Sequence, residues 1–161
     1  MKGVYALVIQ IEKNLTTTVG ALGEVGFQRG IWAYVGSATG TGSTNLENRI
    51  RRHFTDEKAI HWHIDYLLNT NAIPIRAIWA ESDRAAECNL AREMNKSPLF
   101  VAGPRGFGAS DCTRGCGTHL FRFVGSSKPD GSIHEIFSEL GLTPFITEKD
   151  TSPKRTTIKR M

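Results

Sequence analysis

The stretch that decides the fold is IWAYVGSATGTGSTNLENRIRRHF, residues 31–54. It begins with an apolar, strand-like run that ends near Gly36, and a loop of small residues follows. Thr44, with Glu47 three residues later, forms a capping-box pattern that predicts the start of a helix. The apolar residues that recur at helical spacing and would face a core are Leu46, Ile50 and Phe54.

The polar residues of the same stretch suggest chemistry on a phosphate. Arg49 and His53 are four residues apart, so they share a second stripe of the predicted helix. Tyr34 at the strand end would face them across the loop. A phenol can handle a proton and a guanidinium can grip an oxyanion, and this combination suits a phosphodiester.

The length and composition predict one globular domain and permit a polyanion as a partner, and the order of the predicted elements makes that domain α+β. Of the 161 residues 40% are hydrophobic, the net charge is +4 and the pI is about 9.1. We expect a single domain over residues 1–146 and a mobile basic tail over residues 147–161. An odd number of cysteines, three, argues against a disulfide framework, and no run is long and apolar enough for a membrane span. We therefore expect a cytoplasmic protein without a membrane partner.

The order of elements predicts a small mixed or antiparallel sheet flanked by helices. A Gly/Pro-rich loop is expected over residues 97–117. Strands are predicted over residues 3–11, 16–19, 31–35, 73–80 and 119–124, and helices over residues 44–54, 58–68, 82–95 and 132–140.

Two tripeptides stand out in this order: GVY at residues 3–5 and YVG at residues 34–36. With LENRI at residues 46–50 and Glu87 in the third predicted helix, they resemble the GIY-YIG nuclease superfamily. The motifs YVGSA, RHF, HWHIDYL, EC and GFGASDC further resemble a functionally uncharacterised, archaeal-type subgroup of it.

The resemblance implies a divalent-metal-dependent endonuclease, with DNA favoured as substrate. It implies that Tyr5 and Tyr34 handle the attacking water, without deciding which is the base, and that Arg49 clamps the phosphate. Glu87 would hold Mg²⁺ or Mn²⁺. His53 would assist. A phenol has a pKa of about 10, so a tyrosine base would need a cation nearby.

Three departures from the superfamily pattern keep a non-cleaving nucleic-acid-binding module open. An insertion over residues 13–30 separates the two tripeptides, and Ser37 stands where many members have lysine. The late asparagine of the superfamily has no counterpart unless Ser110 or Asp111 replaces it. In either function, the residues expected to contact the nucleic-acid backbone are Ser37, Arg51 and Arg52, together with the basic tail.

A third hypothesis is a zinc-stabilised interaction domain. Four residues with ligand chemistry, Cys88, Cys112, Cys116 and His119, could bind Zn²⁺, although scattered cysteines are more often inert packing residues. Three further polar residues are candidates for lining the active cleft that the resemblance implies: His61, His63 and Asp111. The glycine-rich run at 36–43 lacks a lysine before its last serine, which excludes a P-loop nucleotide hydrolase.

Overall fold

An antiparallel sheet with helices on both faces forms the body of the molecule. A computed structural model describes the chain except residues 1, 39, 41–44, 56–58, 84, 110–114, 150–155 and 161. The strands are β1 Gly3–Ile11, β2 Leu15–Thr18, β3 Glu24–Phe27, β4 Gly30–Ala38, β5 Ile73–Glu81, β6 Phe100–Ala102, β7 Leu120–Phe123, β8 Phe145–Lys149 and β9 Thr156–Arg160. The helices are α1 Leu46–His53, α2 His63–Leu68, α3 Ala85–Lys96 and α4 Asp130–Glu139. This α+β architecture confirms the predicted fold class.

The strand order in the main sheet is β6-β7-β4-β1-β5-β8-β9, and β2 pairs with β3 in a separate hairpin. Each of these neighbouring pairs is antiparallel. β1 lies at the centre, between β4 and β5, and Tyr5 is paired with Gly36 on one side and with Trp79 on the other. The two tripeptides are therefore side by side in the sheet. In the sequence, 28 residues lie between Tyr5, which ends the first tripeptide, and Tyr34, which begins the second.

Alternate residues of β1 and β4 supply two separate cores because successive strand side chains point to opposite faces. One face, called here the α1 face, packs against α1 and α2 through residues that include Tyr5, Leu7, Ile9, Trp32 and Tyr34. The other, the α3 face, packs against α3 and α4 through residues that include Val4, Ala6, Val8, Ala33 and Val35. Strand β1 is buried on both faces for this reason, as its apolar run predicted.

Two helix starts differ from the prediction. The N-cap of α1 is Asn45, whose side-chain oxygen accepts a hydrogen bond from the N–H of Asn48; Thr44 lies outside the described residues. Helix α2 begins at His63 rather than at residue 58, and Ile60, which falls inside the predicted helix, is 40% exposed. The carboxylate of Asp65 accepts the backbone N–H groups of the two residues before the helix, which caps it there.

The C-terminal prediction was wrong in part. Residues 147–149 complete β8 and residues 156–160 form β9, where a mobile tail was expected, so the sheet extends past the predicted boundary at 146. β8 is held to β5 by Phe145, whose ring stacks on Trp79 at 5.0 Å, and by a hydrogen bond from Trp79 Nε1 to the Thr147 hydroxyl. Strands β3 and β6 were also missed. None of the helices within the described ranges has the length and apolar character needed to cross a membrane.

Candidate active site

Two tyrosines and a histidine form a buried polar cluster on the α1 face. The Tyr5 hydroxyl lies 2.6 Å from Nε2 of His53, within hydrogen-bonding distance. The ring centroid of Tyr34 is 6.3 Å from that of Tyr5 and 6.2 Å from that of His53. Strands β4 and β1 thus bring both tyrosines to one point, and the last turn of α1 adds the histidine.

Steric contacts explain why each tripeptide contains a glycine. A Cβ atom on Gly36 would collide with the ring and hydroxyl of Tyr5, its partner across the sheet. A Cβ atom on Gly3 would collide with the backbone carbonyl of Ala80 and touch Leu46 at 3.0 Å. The glycine at 36 therefore gives the Tyr5 phenol the space that it occupies, and the glycine at 3 lets β1 approach β5 and α1.

Ser37 joins the two faces of the sheet at the end of β4. Its backbone carbonyl accepts a hydrogen bond from Nη1 of Arg49, which is on α1. Its hydroxyl donates a hydrogen bond of 2.7 Å to Oε2 of Glu87, which is on α3. The guanidinium and the carboxylate thus meet at one residue, although their helices pack on opposite faces.

The Glu87 carboxylate is held as an anion. Burial alone would raise its pKa, but hydrogen bonding from His119 and Ser37, with the charges of His119 and Arg49, outweighs burial and lowers the pKa. Its second oxygen, Oε1, lies 3.3 Å from Nδ1 of His119, and the side chain is 25% exposed. An ionised, partly exposed carboxylate has the donor chemistry that fits Mg²⁺, which takes one or two protein carboxylates and completes its shell with water and phosphate.

Arg49 offers a positive charge at the mouth of the cluster. Its guanidinium lies 4.7 Å above the ring of Trp62, a cation–π contact. Its Nε is buried and has no hydrogen-bond partner among the described residues. A buried donor without an acceptor costs about 1–3 kcal/mol, so an anion that supplied an acceptor here would be favoured.

Arg52 has a different environment from the one expected. Its guanidinium donates two hydrogen bonds to Asp65, at 2.8 and 2.9 Å, and one to the carbonyl of Ala59. The guanidinium of Arg52 also lies 4.7 Å from the centre of the Trp62 ring. This is the same distance as that of the Arg49 guanidinium from the ring. Arg52 was predicted to contact a nucleic-acid backbone; in the structure these contacts join it to Asp65, Ala59 and Trp62, next to the start of α2.

Burial controls the protonation of the two phenols. Burial is the largest cause that raises the pKa of Tyr5, followed by the neighbouring Tyr34, and Arg49 lowers it by less. The pKa of Tyr34 is also raised, by burial and then by the charges of Glu87 and Asp65. Both hydroxyls are therefore protonated at neutral pH in this arrangement, and either one can act as a base only if its proton has an acceptor.

The other candidates occupy scattered positions. Arg51 is exposed on α1. The exposed His61 contacts the ring of Trp62, and the ring of His63 accepts a hydrogen bond from the Gly108 N–H, which makes it a support for the loop after β6. Asp111 and Cys112, like Ser110, lie outside the described residues. The three remaining predicted zinc ligands come together: ligand atoms of Cys88, Cys116 and His119 all lie within 4.8 Å of one another.

The sequence did not reveal Trp62 or the contact of His119 with Glu87. Trp62 is 37% exposed, and its ring is contacted by Arg49 and by Arg52, contacts that the sequence spacing does not indicate. His119 was considered as a metal ligand only, because nothing in the spacing places residue 119 beside residue 87. Pairing of β7 with β4 creates that contact: the Val35 N–H donates to the His119 carbonyl at 2.8 Å.

One comparison with known proteins gave a match. A family model described as "Domain of unknown function DUF123" matches residues 4–142, which include every described residue of the candidate site. No curated protein and no solved structure matches the chain.

Proposed function

Because this chain belongs to the DUF123 family of domains of unknown function, we propose its activity from the geometry of the candidate site: metal-dependent hydrolysis of a phosphodiester bond in nucleic acid. The two tripeptides and their neighbours resemble the GIY-YIG nucleases, which favours the same reaction. DNA is the substrate to test first.

The observation that carries the proposal is the meeting of Arg49 and Glu87 at Ser37. A guanidinium and an ionised carboxylate bind to two atoms of one residue, next to the buried phenols. The Tyr5 hydroxyl and Nε2 of His53, 2.6 Å apart, lie beside this arrangement. Phosphodiester hydrolysis needs all of these groups: a clamp for the phosphate, a site for a divalent cation, and a route for the proton of water.

In the proposed reaction, Arg49 donates hydrogen bonds to the non-bridging oxygens of the phosphate and balances the charge that builds on them. Water attacks phosphorus, a new O–P bond forms, and the ester bond to the leaving oxygen breaks. Tyr5 takes the proton of the water while its own proton passes to Nε2 of His53, 2.6 Å away. Tyr34, beside them, orders the water. The leaving oxygen receives a proton from solvent.

Glu87 would hold the divalent cation, which when bound supplies charge to the phosphate and the leaving oxygen. The exposed Trp62 ring next to Arg49 would give an unpaired base a surface for stacking. Arg51 would add a charge contact to the backbone that does not depend on sequence.

A second function, binding without cleavage, is supported by the buried phenols. Both tyrosines have raised pKa values, and Ser37, in place of a lysine, is already bonded to Glu87. A chain that retained the phosphate clamp but had lost a usable base would bind nucleic acid and leave it intact.

A plasmid-nicking assay with Mg²⁺ or Mn²⁺ separates the two functions. The proposal expects cutting by the wild type, loss of cutting in Arg49→Ala and Glu87→Gln, and wild-type cutting in the control Arg92→Ala, an exposed arginine on α3. Fluorescence anisotropy with labelled single- and double-stranded DNA measures binding in parallel. Binding with no cutting in any variant supports the binding module, and equal cutting in all variants refutes the assignment of the site.

A further inference from the structure

A second set of ligating side chains lies behind Glu87, on the α3 face. Cys88 follows Glu87 on α3, and His119 and Cys116 precede β7. Their ligand atoms lie within 4.8 Å of one another, and Cys116 Sγ is 4.0 Å from the Cys88 carbonyl oxygen. Two sulfurs and an imidazole from distant parts of the chain thus converge on one point.

The donor set selects the kind of metal. Thiolate and imidazole ligands suit Zn²⁺, which binds them at about 2.3 and 2.0 Å in tetrahedral sites, whereas Mg²⁺ requires oxygen ligands. Four tetrahedral ligands at those bond lengths lie less than about 4 Å apart, so the three side chains need to close only slightly around an ion. The site is also shielded: His119 is 2% exposed, and the cysteines are half-buried.

Glu87 provides a partner of the type that zinc-bound histidines commonly have. Its Oε1 lies 3.3 Å from Nδ1 of His119, which leaves Nε2 of the same ring as the metal ligand. A carboxylate that receives the second ring N–H of a ligating histidine fixes the orientation of the ring and raises its basicity.

We propose that Cys88, Cys116 and His119 bind a zinc ion, with Glu87 as the residue that positions His119. Each thiol loses its proton to solvent when the metal binds, so binding releases protons and weakens as the pH falls. The ion ties α3 to β7 and holds Glu87 in place at the end of β4. The zinc ligands and the class of metal differ from those of the proposed nuclease site, although Glu87 takes part in both.

The first test measures metal on the full chain, purified under reducing conditions and dialysed against a zinc-free buffer that contains excess Mg²⁺. Elemental analysis is expected to find about one zinc per chain. Replacement by Co²⁺ is expected to give a sulfur-to-cobalt charge-transfer band and the strong visible bands of tetrahedral cobalt. Absence of zinc together with absence of these cobalt bands overturns the proposal, whatever the variants do.

Variants assign the ligands. The double substitution Cys88→Ser with Cys116→Ser is expected to lose the zinc and the charge-transfer band, whereas the control His134→Asn, a half-buried histidine on α4, retains both. Circular dichroism reports whether each variant is folded. A folded double variant that retains stoichiometric zinc overturns the proposal; if it does not fold, the wild-type cobalt spectrum decides.

Glu87→Gln tests the positioning role. This variant is expected to retain the cobalt spectrum but bind zinc about 10–100-fold more weakly in competition with a chromogenic chelator. Unchanged zinc affinity would refute the role of Glu87. Nicking activity does not enter the readout, so failure of the zinc site and failure of the nuclease proposal are distinguishable.

Discussion

Replacement of Arg49 by lysine is the sharpest test of whether the guanidinium binds the phosphate. The substitution keeps the positive charge but removes the planar set of N–H donors, the guanidinium fork. In the structure one guanidinium nitrogen, Nη1, already binds the Ser37 carbonyl, and the planar group lies on Trp62. One of the five guanidinium N–H groups is therefore occupied, and a hydrogen bond to a phosphate must come from the others. A lysine has a single ammonium group, which would have to serve both the Ser37 carbonyl and the phosphate.

The expected magnitude follows from that count of donors. At least one hydrogen bond to the charge that develops in the transition state is lost, and removal of one such donor lowers a rate by about 10²–10³-fold. Because the positive charge stays, we expect the lower end for Arg49→Lys, a fall of about 100-fold in kcat/KM, equivalent to about 2.7 kcal/mol. Binding to DNA should weaken much less, since binding depends mainly on charge.

The assay compares initial rates of plasmid nicking, under single-turnover conditions, for the wild type, Arg49→Lys and the matched control Arg92→Lys. Thermal unfolding confirms that the variants are folded. A rate for Arg49→Lys within threefold of wild type, with the control also at wild type, would show that the guanidinium fork does not act on the phosphate. An equal fall in rate and in affinity would show that Arg49 serves in binding alone.

Four other predictions concern the groups around the clamp. Tyr5→Phe is expected to lower the nicking rate about 10²–10⁴-fold, while Tyr66→Phe, the third tyrosine of the chain, leaves it unchanged; equal rates in the two variants would remove Tyr5 from the reaction. Trp62→Ala is expected to weaken binding of single-stranded DNA by about 1–3 kcal/mol in anisotropy titrations, and unchanged affinity would contradict base stacking. Gly36→Ala is expected to displace the Tyr5 ring, so that both the melting temperature and the nicking rate fall; a variant with a wild-type rate would contradict the steric reading of this glycine. Asp65→Asn is expected to cost about 2–4 kcal/mol in urea unfolding at pH 7, since it leaves the Arg52 charge and backbone donors without a carboxylate; a change below about 0.5 kcal/mol, the usual range at indifferent surface sites, would refute that network.

The direction in which pH changes the stability that Asp65 contributes can be derived from its pKa. Burial would raise the pKa of Asp65, but hydrogen bonds from Arg52 and from the N–H groups of His61 and Trp62 lower it below the usual 3.8. The stabilisation by Asp65 is therefore complete well above pH 3.8 and is lost as the pH falls below that value. Stability of Asp65→Asn should accordingly fall less steeply than that of the wild type on acidification.

The sequence was sufficient for those parts of the fold that depend on local pattern. The β-branched run of β1 and the helical spacing of Leu46 and Ile50 predicted their elements within a few residues. The start of α2 was wrong because the Asp65 carboxylate caps the backbone of His61 and Trp62, a choice that hydrophobic spacing does not encode. β8 and β9 were missed because β8 depends on an available edge of β5, and β9 on the edge that β8 then offers, and not on their own composition.

The sequence motifs indicated the main residues of the candidate site. They did not indicate the neighbouring residues that hold these side chains in place. Tyr5, Tyr34, Arg49 and Glu87 were identified by order along the chain, and they do lie around Ser37 and His53. The role of Ser37 could not be predicted, since it depends on both its carbonyl and its hydroxyl being used in different directions. The same holds for Trp62, whose two arginine contacts arise only when α1 and the start of α2 are packed together.

The location of the candidate site at the end of β4 follows from the thickness of the sheet. Packed layers are about 10 Å apart, so side chains on opposite faces of a sheet do not meet in its interior. Arg49 and Glu87 can approach one residue only where the strand ends, and Ser37 is the second-last residue of β4. Successive residues of a strand face opposite sides of the sheet. The Cα of Gly36 faces the Tyr5 ring on the α1 face, so the side chain of Ser37 points to the α3 face. A shift of β4 by one residue would exchange these faces, so that the clamp, the carboxylate and the phenol would all be separated at once.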